Sequence, residues 1–259
     1  MSTFLFDKII FGPVRSRRLG VSLGVNLLPV DSKVCSFDCI YCECGWTPRK
    51  REKKAVLPTR REVKEKMQEK LQEMKAAGES PDVITFAGNG EPTLHPDFAA
   101  IIDDTVELRN QLAPNARIAV LSNATMIHKQ AVVSALWKVD DNIQKLDSAF
   151  IETIEKLDCP MVPFDLKKTV ENLKAFNGQV IIQTLFIRGE FKNERIDNTT
   201  DEEISAWLKL IQEIGPRQVM IYTIDRDTPT EGLERIPLAE LEAIAGKIRN
   251  LGFNVQVSG

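Results

Sequence analysis

Four of the five cysteines of this chain lie within one short stretch, VCSFDCIYCECG, at residues 34–45. They follow the spacing C-x3-C-x2-C-x-C and are Cys35, Cys39, Cys42 and Cys44. Clustered thiols are typical of metal or redox chemistry, whereas a disulfide scaffold uses an even and more dispersed set of cysteines. The stretch therefore predicts a metal centre built from one loop.

Two kinds of metal centre agree with these residues. A zinc ribbon or finger usually takes its ligands as two pairs separated by about a dozen residues or more. No second pair follows the loop, because Cys159 stands alone downstream, where we expect it to be a small buried side chain. A four-iron cluster can be held by three thiolates of one loop, which leaves the fourth iron free for a substrate. The spacing favours the iron cluster, and a compact zinc site using all four thiols is the alternative.

The composition is that of an ordinary globular chain, with 259 residues, 43% hydrophobic and 27% charged. It contains no apolar run long enough to cross a bilayer, and residues 1–8 do not resemble a secretory signal. We expect a cytoplasmic protein without a membrane partner. The net charge of -3 argues only weakly against nucleic acid as a partner.

Short apolar runs alternate with longer amphipathic segments along the whole chain. The apolar runs predict strands at 21–27, 83–87, 117–121, 142–146, 180–186, 218–224 and 253–257. Most of these runs are continuous, as expected for parallel strands that are covered on both faces. Helical spacing connects Val63, Met67, Leu71 and Met74; Leu166, Val170, Leu173 and Phe176; and Ile204, Leu208 and Ile211.

Helix ends are also visible in the sequence. Thr59 with Glu62 and Thr200 with Glu203 fit capping boxes. About six βα units in one domain predict either a doubly wound sheet or a (β/α) barrel, complete or partial. Trp137 and Trp207 fall on apolar helical faces and are expected in the core.

Polar and glycine-rich residues cluster where the predicted strands end. In both architectures, ligands bind at the carboxyl ends of the strands. The residues found there are Gly88, Asn89, Gly90, Glu91, Pro92, Ser122, Asn123, Lys145, Asp147 and Gln183, and the cysteine loop itself follows the first strand. All the candidate chemical groups are therefore expected on one face.

At this point the residues resemble a known family. The three-cysteine motif Cys35-x3-Cys39-x2-Cys42, with Tyr41 directly before Cys42, and the GNGEP motif at 88–92 resemble the radical S-adenosylmethionine (radical SAM) superfamily. The stretches GPVRSRRLGVSLGVNLLP and YTIDRDTP are similar to the branch that contains the wyosine-base (tRNA imidazoguanosine) synthetases. Those synthetases carry extra N-terminal cysteines for a second cluster, and no cysteine precedes Cys35 in this sequence.

The resemblance implies a fold and a cofactor. The fold is α/β, a partial (β/α)6 TIM-like barrel in a single domain, with an N-terminal extension at 1–20, a core at 21–236 and a C-terminal helix and strand at 237–259. Cys35, Cys39 and Cys42 would hold a [4Fe-4S] cluster whose fourth iron is chelated by S-adenosyl-L-methionine. Reductive cleavage of that cofactor would give a 5′-deoxyadenosyl radical, which abstracts hydrogen from a substrate.

The resemblance also implies a set of cofactor contacts. The residues expected to bind S-adenosyl-L-methionine are Tyr41, Gly88, Asn89, Gly90, Glu91, Pro92, Ser122, Asn123, Lys145, Asp147 and Gln183. The two glycines let the backbone approach the ligand, and the polar side chains suit its ammonium, carboxylate and ribose groups.

Basic residues flank the cysteine loop on both sides in sequence. They are Arg15, Arg17, Arg18, Arg49, Lys50, Arg51, Lys53 and Lys54. They form either a solvated loop or a positive rim that docks an anionic substrate or an acidic electron donor such as flavodoxin or ferredoxin. Trp46 could add stacking to a nucleobase.

Three functions are therefore compared. The first is a radical SAM enzyme that acts on RNA or another anionic molecule. The second is an activase that installs a glycyl radical on a partner protein, and the third is a zinc-binding interaction module without enzymatic activity.

Overall fold

The apolar runs form the strands of a mainly parallel sheet. The computed structural model describes residues 4–16, 19–48 and 55–259. Its strands are β1 (Ile10–Ser16), β2 (Gly20–Val25), β3 (Val83–Phe86), β4 (Arg117–Ser122), β5 (Asp141–Lys145), β6 (Ile181–Leu185), β7 (Ile187–Phe191), β8 (Glu194–Asp197), β9 (Gln218–Tyr222), β10 (Leu233–Arg235) and β11 (Val255–Ser258). Its helices are α1 (Arg60–Ala76), α2 (Phe98–Leu112), α3 (Gln130–Leu136), α4 (Ile151–Leu157), α5 (Leu166–Lys174), α6 (Asp201–Ile214) and α7 (Leu238–Asn250).

The strand order identifies the architecture. Eight strands pair in the order β1-β2-β3-β4-β5-β6-β9-β11, and every pair from β2 onward is parallel. A doubly wound sheet reverses its order at a switch point, whereas here the strands of the larger sheet follow one another in chain order. The sheet curls into a half-barrel. The predicted partial barrel is confirmed.

The main core lies between the sheet and its helices. The predicted stripe on α1 is buried throughout, at Val63, Met67, Leu71 and Met74. Trp207 on α6 is also buried, and its indole N–H donates to the Leu146 carbonyl at 3.0 Å. The prediction for Trp137 is wrong. Trp137 is the C-cap residue of α3, and its side chain is 46% exposed, with its ring 5.7 Å from that of Phe176.

Both predicted helix starts have a threonine cap. Thr59 accepts from the Glu62 backbone N–H while the Glu62 carboxylate accepts from the Thr59 N–H, which completes a capping box. Thr200 accepts from the Glu203 N–H in the same way. The Glu203 carboxylate accepts instead from the hydroxyls of Ser148 and Thr153. The predicted capping box at Thr200 is therefore only half formed.

Four strands were absent from the sequence prediction. β1 pairs antiparallel with β2 at the edge of the sheet, and β10, β7 and β8 form a separate antiparallel sheet of three strands. Few of their residues are fully buried, and they lack the continuous apolar runs that mark the parallel strands.

The C-terminal segment adds to the main sheet. β11 pairs parallel with β9, and the buried face of α7 belongs to the same core as the other helices. The division into an N-terminal extension, a core and a C-terminal addition stays a prediction. Among the described residues, no helix is both long and apolar enough to span a membrane.

Candidate functional site

A cavity of about 160 Å³ opens at the carboxyl ends of β2 to β6. It is lined by Lys33, Cys35, Cys39, Cys42, Gly88, Gly90, Glu91, Leu121, Ser122, Asn123, Lys145 and Gln183. On the inner face of the sheet, Val83, Ala119, Ile143, Ile181 and Met220 belong to a small apolar cluster. Three of the four clustered thiols thus line one cavity, together with groups from the loops after β2 and β3 and from the ends of β4, β5 and β6.

The cysteine loop is hydrogen-bonded on both sides to segments that are distant in sequence. On one side, the Val34 N–H donates to the Asn89 carbonyl at 2.8 Å and the Val34 carbonyl accepts from the Glu91 N–H at 3.1 Å. On the other side, the Ile40 N–H donates to the Leu157 carbonyl at 2.9 Å. The loop is thus held between the end of β3 and the end of α4.

Gly90 sits where the cysteine loop meets the GNGEP turn. Its φ is +131°, which L side chains rarely adopt, and a Cβ on it would collide with the Val34 carbonyl. Gly88 is crowded in another way, because a Cβ there would collide with the Asn26 side chain. Gly90 allows two backbones to approach closely, and Gly88 leaves room for the Asn26 side chain.

The Glu91 carboxylate is a buried structural acceptor at the edge of the cavity. Oε2 accepts from the Asn123 N–H at 2.6 Å, and Oε1 accepts from the Thr93 N–H at 3.0 Å and from the Thr93 hydroxyl. Burial raises the pKa of this carboxyl, and these hydrogen bonds oppose the shift. Glu91 joins the end of β3 to the end of β4.

Asn123 connects β4 directly to the cysteine loop. Its Nδ2 donates to the Ser36 hydroxyl at 2.9 Å and approaches the Cys35 sulfur at 3.5 Å. The neighbouring Ser122 hydroxyl accepts from the Ala124 N–H at 3.1 Å. The predicted serine and asparagine are therefore both at the cavity.

Asn89 does not line the cavity. Its Nδ2 donates to the carbonyls of Phe6 and Pro29, at 2.9 Å and 2.8 Å, and its Oδ1 accepts from the Phe6 N–H at 2.8 Å. The side chain is completely buried. Every hydrogen of this amide is engaged, so the geometry makes Asn89 a brace between the N-terminal segment and the GNGEP turn.

A buried charged network lies beside the cavity. The Lys145 ammonium contacts Asp147 at 2.6 Å and Asp158 at 3.3 Å, and the Tyr41 hydroxyl lies among these same three groups. Burial raises the pKa of Asp158 to about 7, and the charge of Lys145 opposes that shift. For Lys145, burial opposes the charged form, but the two carboxylates outweigh it and raise its pKa. Lys145 faces the cavity, while Tyr41 and Asp147 stand behind it.

Gln183 presents a buried oxygen at the cavity. Its Nε2 donates to the Tyr222 hydroxyl at 2.9 Å, but its buried Oε1 has no hydrogen-bond partner among the described residues. A buried polar atom without a partner is costly in a protein interior. Such an atom at a cavity wall indicates a site that is completed by a ligand.

The three thiols lie in different electrostatic surroundings. Burial raises the pKa of Cys35 to about 12 and raises that of Cys39 well above its ordinary value. A hydrogen bond from the Cys44 thiol is the main cause that lowers the pKa of Cys42 to about 6. Cys44 does not line the cavity, and its sulfur lies 3.5 Å from the Gly88 carbonyl.

The structure brings most of the predicted site residues together. The predicted residues that line the cavity are Cys35, Cys39, Cys42, Gly88, Gly90, Glu91, Ser122, Asn123, Lys145 and Gln183. Those that do not are Tyr41, Asn89, Pro92 and Asp147. Sequence reasoning missed Lys33 and Asp158, because a charged residue in a sequence carries no sign that it is buried.

The basic rim falls mostly outside the described residues. Arg17, Arg18 and residues 49–54 are not described, and Arg15 on β1 is exposed. Trp46 is 41% exposed, and its ring stacks on Phe191 with 6.1 Å between centroids. These two rings border an open groove of about 1090 Å³, which also contains the half-buried Cys159 rather than the fully buried thiol expected.

Comparison with known families identifies the chain. The sequence model of the Radical SAM superfamily matches residues 30–198, which include the cysteine loop and the loops after β3, β4 and β5. The chain belongs to the radical SAM superfamily. The resemblance inferred from the cysteine and GNGEP motifs is confirmed.

Two curated relatives are similar in sequence to this chain. A Helicobacter pylori protein of the UPF0026 group is 32% identical over 84% of this chain and 67% of its own length. A Brachyspira hyodysenteriae protein named GTPase Obg is 30% identical over 92% of this chain but only 33% of its own length. The chain thus spans about one third to two thirds of these relatives.

Solved structures show the fold alone. A radical SAM methyltransferase from Sphaerobacter thermophilus matches with a TM-score of 0.65 at 14% identity, over 92% of this chain and 65% of that one. Archaeal TYW1 matches with a TM-score of 0.54 at 12% identity, over 88% of this chain and 71% of that one.

Proposed function

We propose that this protein is a radical SAM enzyme that cleaves S-adenosyl-L-methionine reductively at a [4Fe-4S] cluster held by Cys35, Cys39 and Cys42. The observation that carries the proposal is the shared cavity, in which these three thiols meet two close-packed glycines and the polar groups of β4 to β6. When bound, the cluster and S-adenosyl-L-methionine supply a 5′-deoxyadenosyl radical that abstracts hydrogen from a substrate.

The residues around the thiols suit the amino acid part of that cofactor. The Lys145 ammonium at the cavity wall is a donor for a carboxylate, and the backbone at Gly88 and Gly90 leaves room for a ligand to approach closely. The unpartnered Gln183 Oε1 is an acceptor that a bound ligand would satisfy. We propose these groups, with Glu91, Ser122 and Asn123, as the cofactor contacts.

The residues behind the wall orient those contacts. Asp147 and Asp158 hold the Lys145 ammonium in place, and Asp147 also accepts from the Leu185 N–H at 3.0 Å. Glu91 fixes the Asn123 backbone relative to Thr93. For Tyr41, Asn89, Pro92 and Asp147, a supporting role explains the geometry better than direct cofactor contact.

The cysteine spacing disfavours the zinc alternative. A zinc ribbon or finger usually takes its ligands as two pairs on separate segments, and no second pair of cysteines follows the loop in this sequence.

We propose RNA or another anionic molecule as the substrate and a low-potential protein such as flavodoxin or ferredoxin as the electron donor. The basic residues at 49–54, which follow the cysteine loop in sequence, and the exposed ring of Trp46 support an anionic partner. Binding to tRNA that weakens steeply with salt would support the RNA substrate, and binding insensitive to salt would contradict it.

Anaerobic reconstitution with iron and sulfide tests the activity. After reduction with dithionite in the presence of S-adenosyl-L-methionine, we expect 5′-deoxyadenosine from the wild-type protein and none from Cys39→Ala. Cys159→Ala is the matched control, because this thiol lies outside the cavity, and it should retain the activity. Bound zinc without sulfide, together with no 5′-deoxyadenosine, would contradict the proposal.

A further inference from the structure

A buried lysine lies inside the three-cysteine site. Lys33 is only 2% exposed and lines the same cavity as Cys35, Cys39 and Cys42. Lysine is almost never fully buried unless its ammonium is paired, because removing the charge from water is costly. The position of Lys33 therefore requires an explanation that the cofactor contacts do not provide.

The Lys33 ammonium connects two distant points of the cysteine loop. It donates to the Gly45 carbonyl at 2.8 Å and to the Asp38 carboxylate at 3.2 Å. Asp38 lies between the first two cysteines of the motif, and Gly45 follows the last. The same carboxylate accepts from the Thr47 N–H at 2.8 Å. The ammonium thus closes the loop from its interior.

The charge of Lys33 also faces the thiols. Lys33 lines the same cavity as Cys35, Cys39 and Cys42, so its buried ammonium lies beside the three thiols. Lys145 differs from Lys33, because two buried carboxylates compensate its charge.

We propose that Lys33 is a positioning residue of the three-cysteine site. Its ammonium holds the cysteine loop closed and offsets the negative charge that the thiolates bring to the cluster. The proposal rests on the function proposed above. The reduction potential of an iron–sulfur cluster depends on the net charge and the hydrogen bonds around its sulfurs. Removal of a positive charge beside the cluster disfavours the added electron, so the midpoint potential becomes more negative.

The test compares Lys33→Met, Lys33→Gln and Lys33→Arg after anaerobic reconstitution. We measure iron and sulfide per chain, and the midpoint potential by a redox titration followed by electron paramagnetic resonance. Lys33→Met and Lys33→Gln should hold less iron than the wild type, and the cluster that they do hold should have a more negative potential. Lys33→Arg retains the charge and should restore the wild-type potential.

Lys174→Met is the matched control. Lys174 pairs with Glu213 at 2.7 Å on the surface, so its removal should leave iron content and potential unchanged. If Lys33→Met does not fold, Lys33→Gln still tests whether the charge of Lys33 affects iron content and potential, because glutamine retains a hydrogen-bond donor without the charge. Wild-type iron content and potential in the neutral variants would overturn this proposal alone. A wild-type protein that binds no cluster would overturn the proposed function, and the role of Lys33 with it.

Discussion

At the scale of single residues, Gly90 is the position where the site tolerates least change. Its backbone conformation and its contact with the Val34 carbonyl both exclude a side chain. The contact matters because Val34 and Glu91 join the cysteine loop to the end of β3. A substitution at Gly90 therefore acts on the thiols through the backbone.

We expect Gly90→Ala to lower both the stability and the iron content of the protein. An L residue in such a conformation costs on the order of 1–3 kcal/mol, and the collision displaces the loop. Urea unfolding and iron analysis after reconstitution measure the two effects.

Gly246→Ala is the control for Gly90→Ala. Gly246 lies within α7 with open space around it, so alanine should be neutral or should stabilise the protein by up to about 1 kcal/mol. Equal iron content in both alanine variants would show that the approach of the two backbones is not needed for the site.

The sequence revealed those site residues whose type and spacing are unusual. The three thiols and the two glycines could be found because such residues are clustered and follow strand ends. Lys33 and Asp158 could not be found, because their role depends on burial produced by packing from segments that are distant in sequence.

At the scale of elements, α1 and α2 are joined by a charged bridge. Arg60 donates to both oxygens of Asp104, at 2.6 Å and 2.9 Å, and Lys64 donates to the same carboxylate at 3.1 Å. Asp104 itself is buried on α2. The hydrogen bond from Arg60 is the main cause that lowers the pKa of this carboxyl.

We expect Asp104→Asn to lower the free energy of unfolding at pH 7 by about 1 kcal/mol. The effect is smaller than for a fully buried ion pair, because solvent screens the half-exposed Arg60 side chain. Because the pKa is lowered in the folded state, the ionised carboxylate stabilises the protein above the ordinary aspartate pKa of about 4. This stabilisation is lost as the pH falls through the lower folded-state value. Urea unfolding at several pH values should therefore show the two proteins converging in acid.

Glu65→Gln is the control for the helix bridge. Glu65 pairs with Arg61 within α1, where both side chains are exposed, so no measurable change is expected. A difference between wild type and Asp104→Asn that stays constant down to low pH would contradict a role for the charge of Asp104.

The parallel strands were predictable and the antiparallel ones were not. A parallel strand of this half-barrel is covered by helices on one face and by the barrel interior on the other, so it is apolar on both faces, as the fully buried β3 shows. Two of the four residues of β8 are exposed, and among the described strands it pairs with β7 alone, so its sequence resembles a polar loop. The small sheet escaped detection because few of its residues are fully buried and its strands lack a continuous apolar run.

At the scale of the whole molecule, we propose that the C-terminal addition unfolds together with the barrel. Leu241 on α7 is completely buried in the core shared with the other helices. Leu241→Ala should cost about 2–5 kcal/mol and should shift the whole unfolding transition. Circular dichroism and tryptophan fluorescence, to which the buried Trp207 contributes, should report the same midpoint.

Leu238→Ala is the matched control on the same helix. Leu238 is 57% exposed, so its truncation should change the stability by no more than about 0.5 kcal/mol. Separate midpoints for the two probes in Leu241→Ala would show that the C-terminal helix and strand are an independent unit.

The hydrogen bonds on both sides of the cysteine loop have a consequence for the maturation of the protein. Tyr41 in the loop and its partner Asp158 are 117 residues apart in the chain. During synthesis, the thiols leave the ribosome well before the segment that completes their surroundings. At the usual 5–20 residues per second, that interval lasts on the order of ten seconds. We therefore expect iron to enter a correctly shaped site only after β6 has been made, because Gln183 on that strand also lines the cavity.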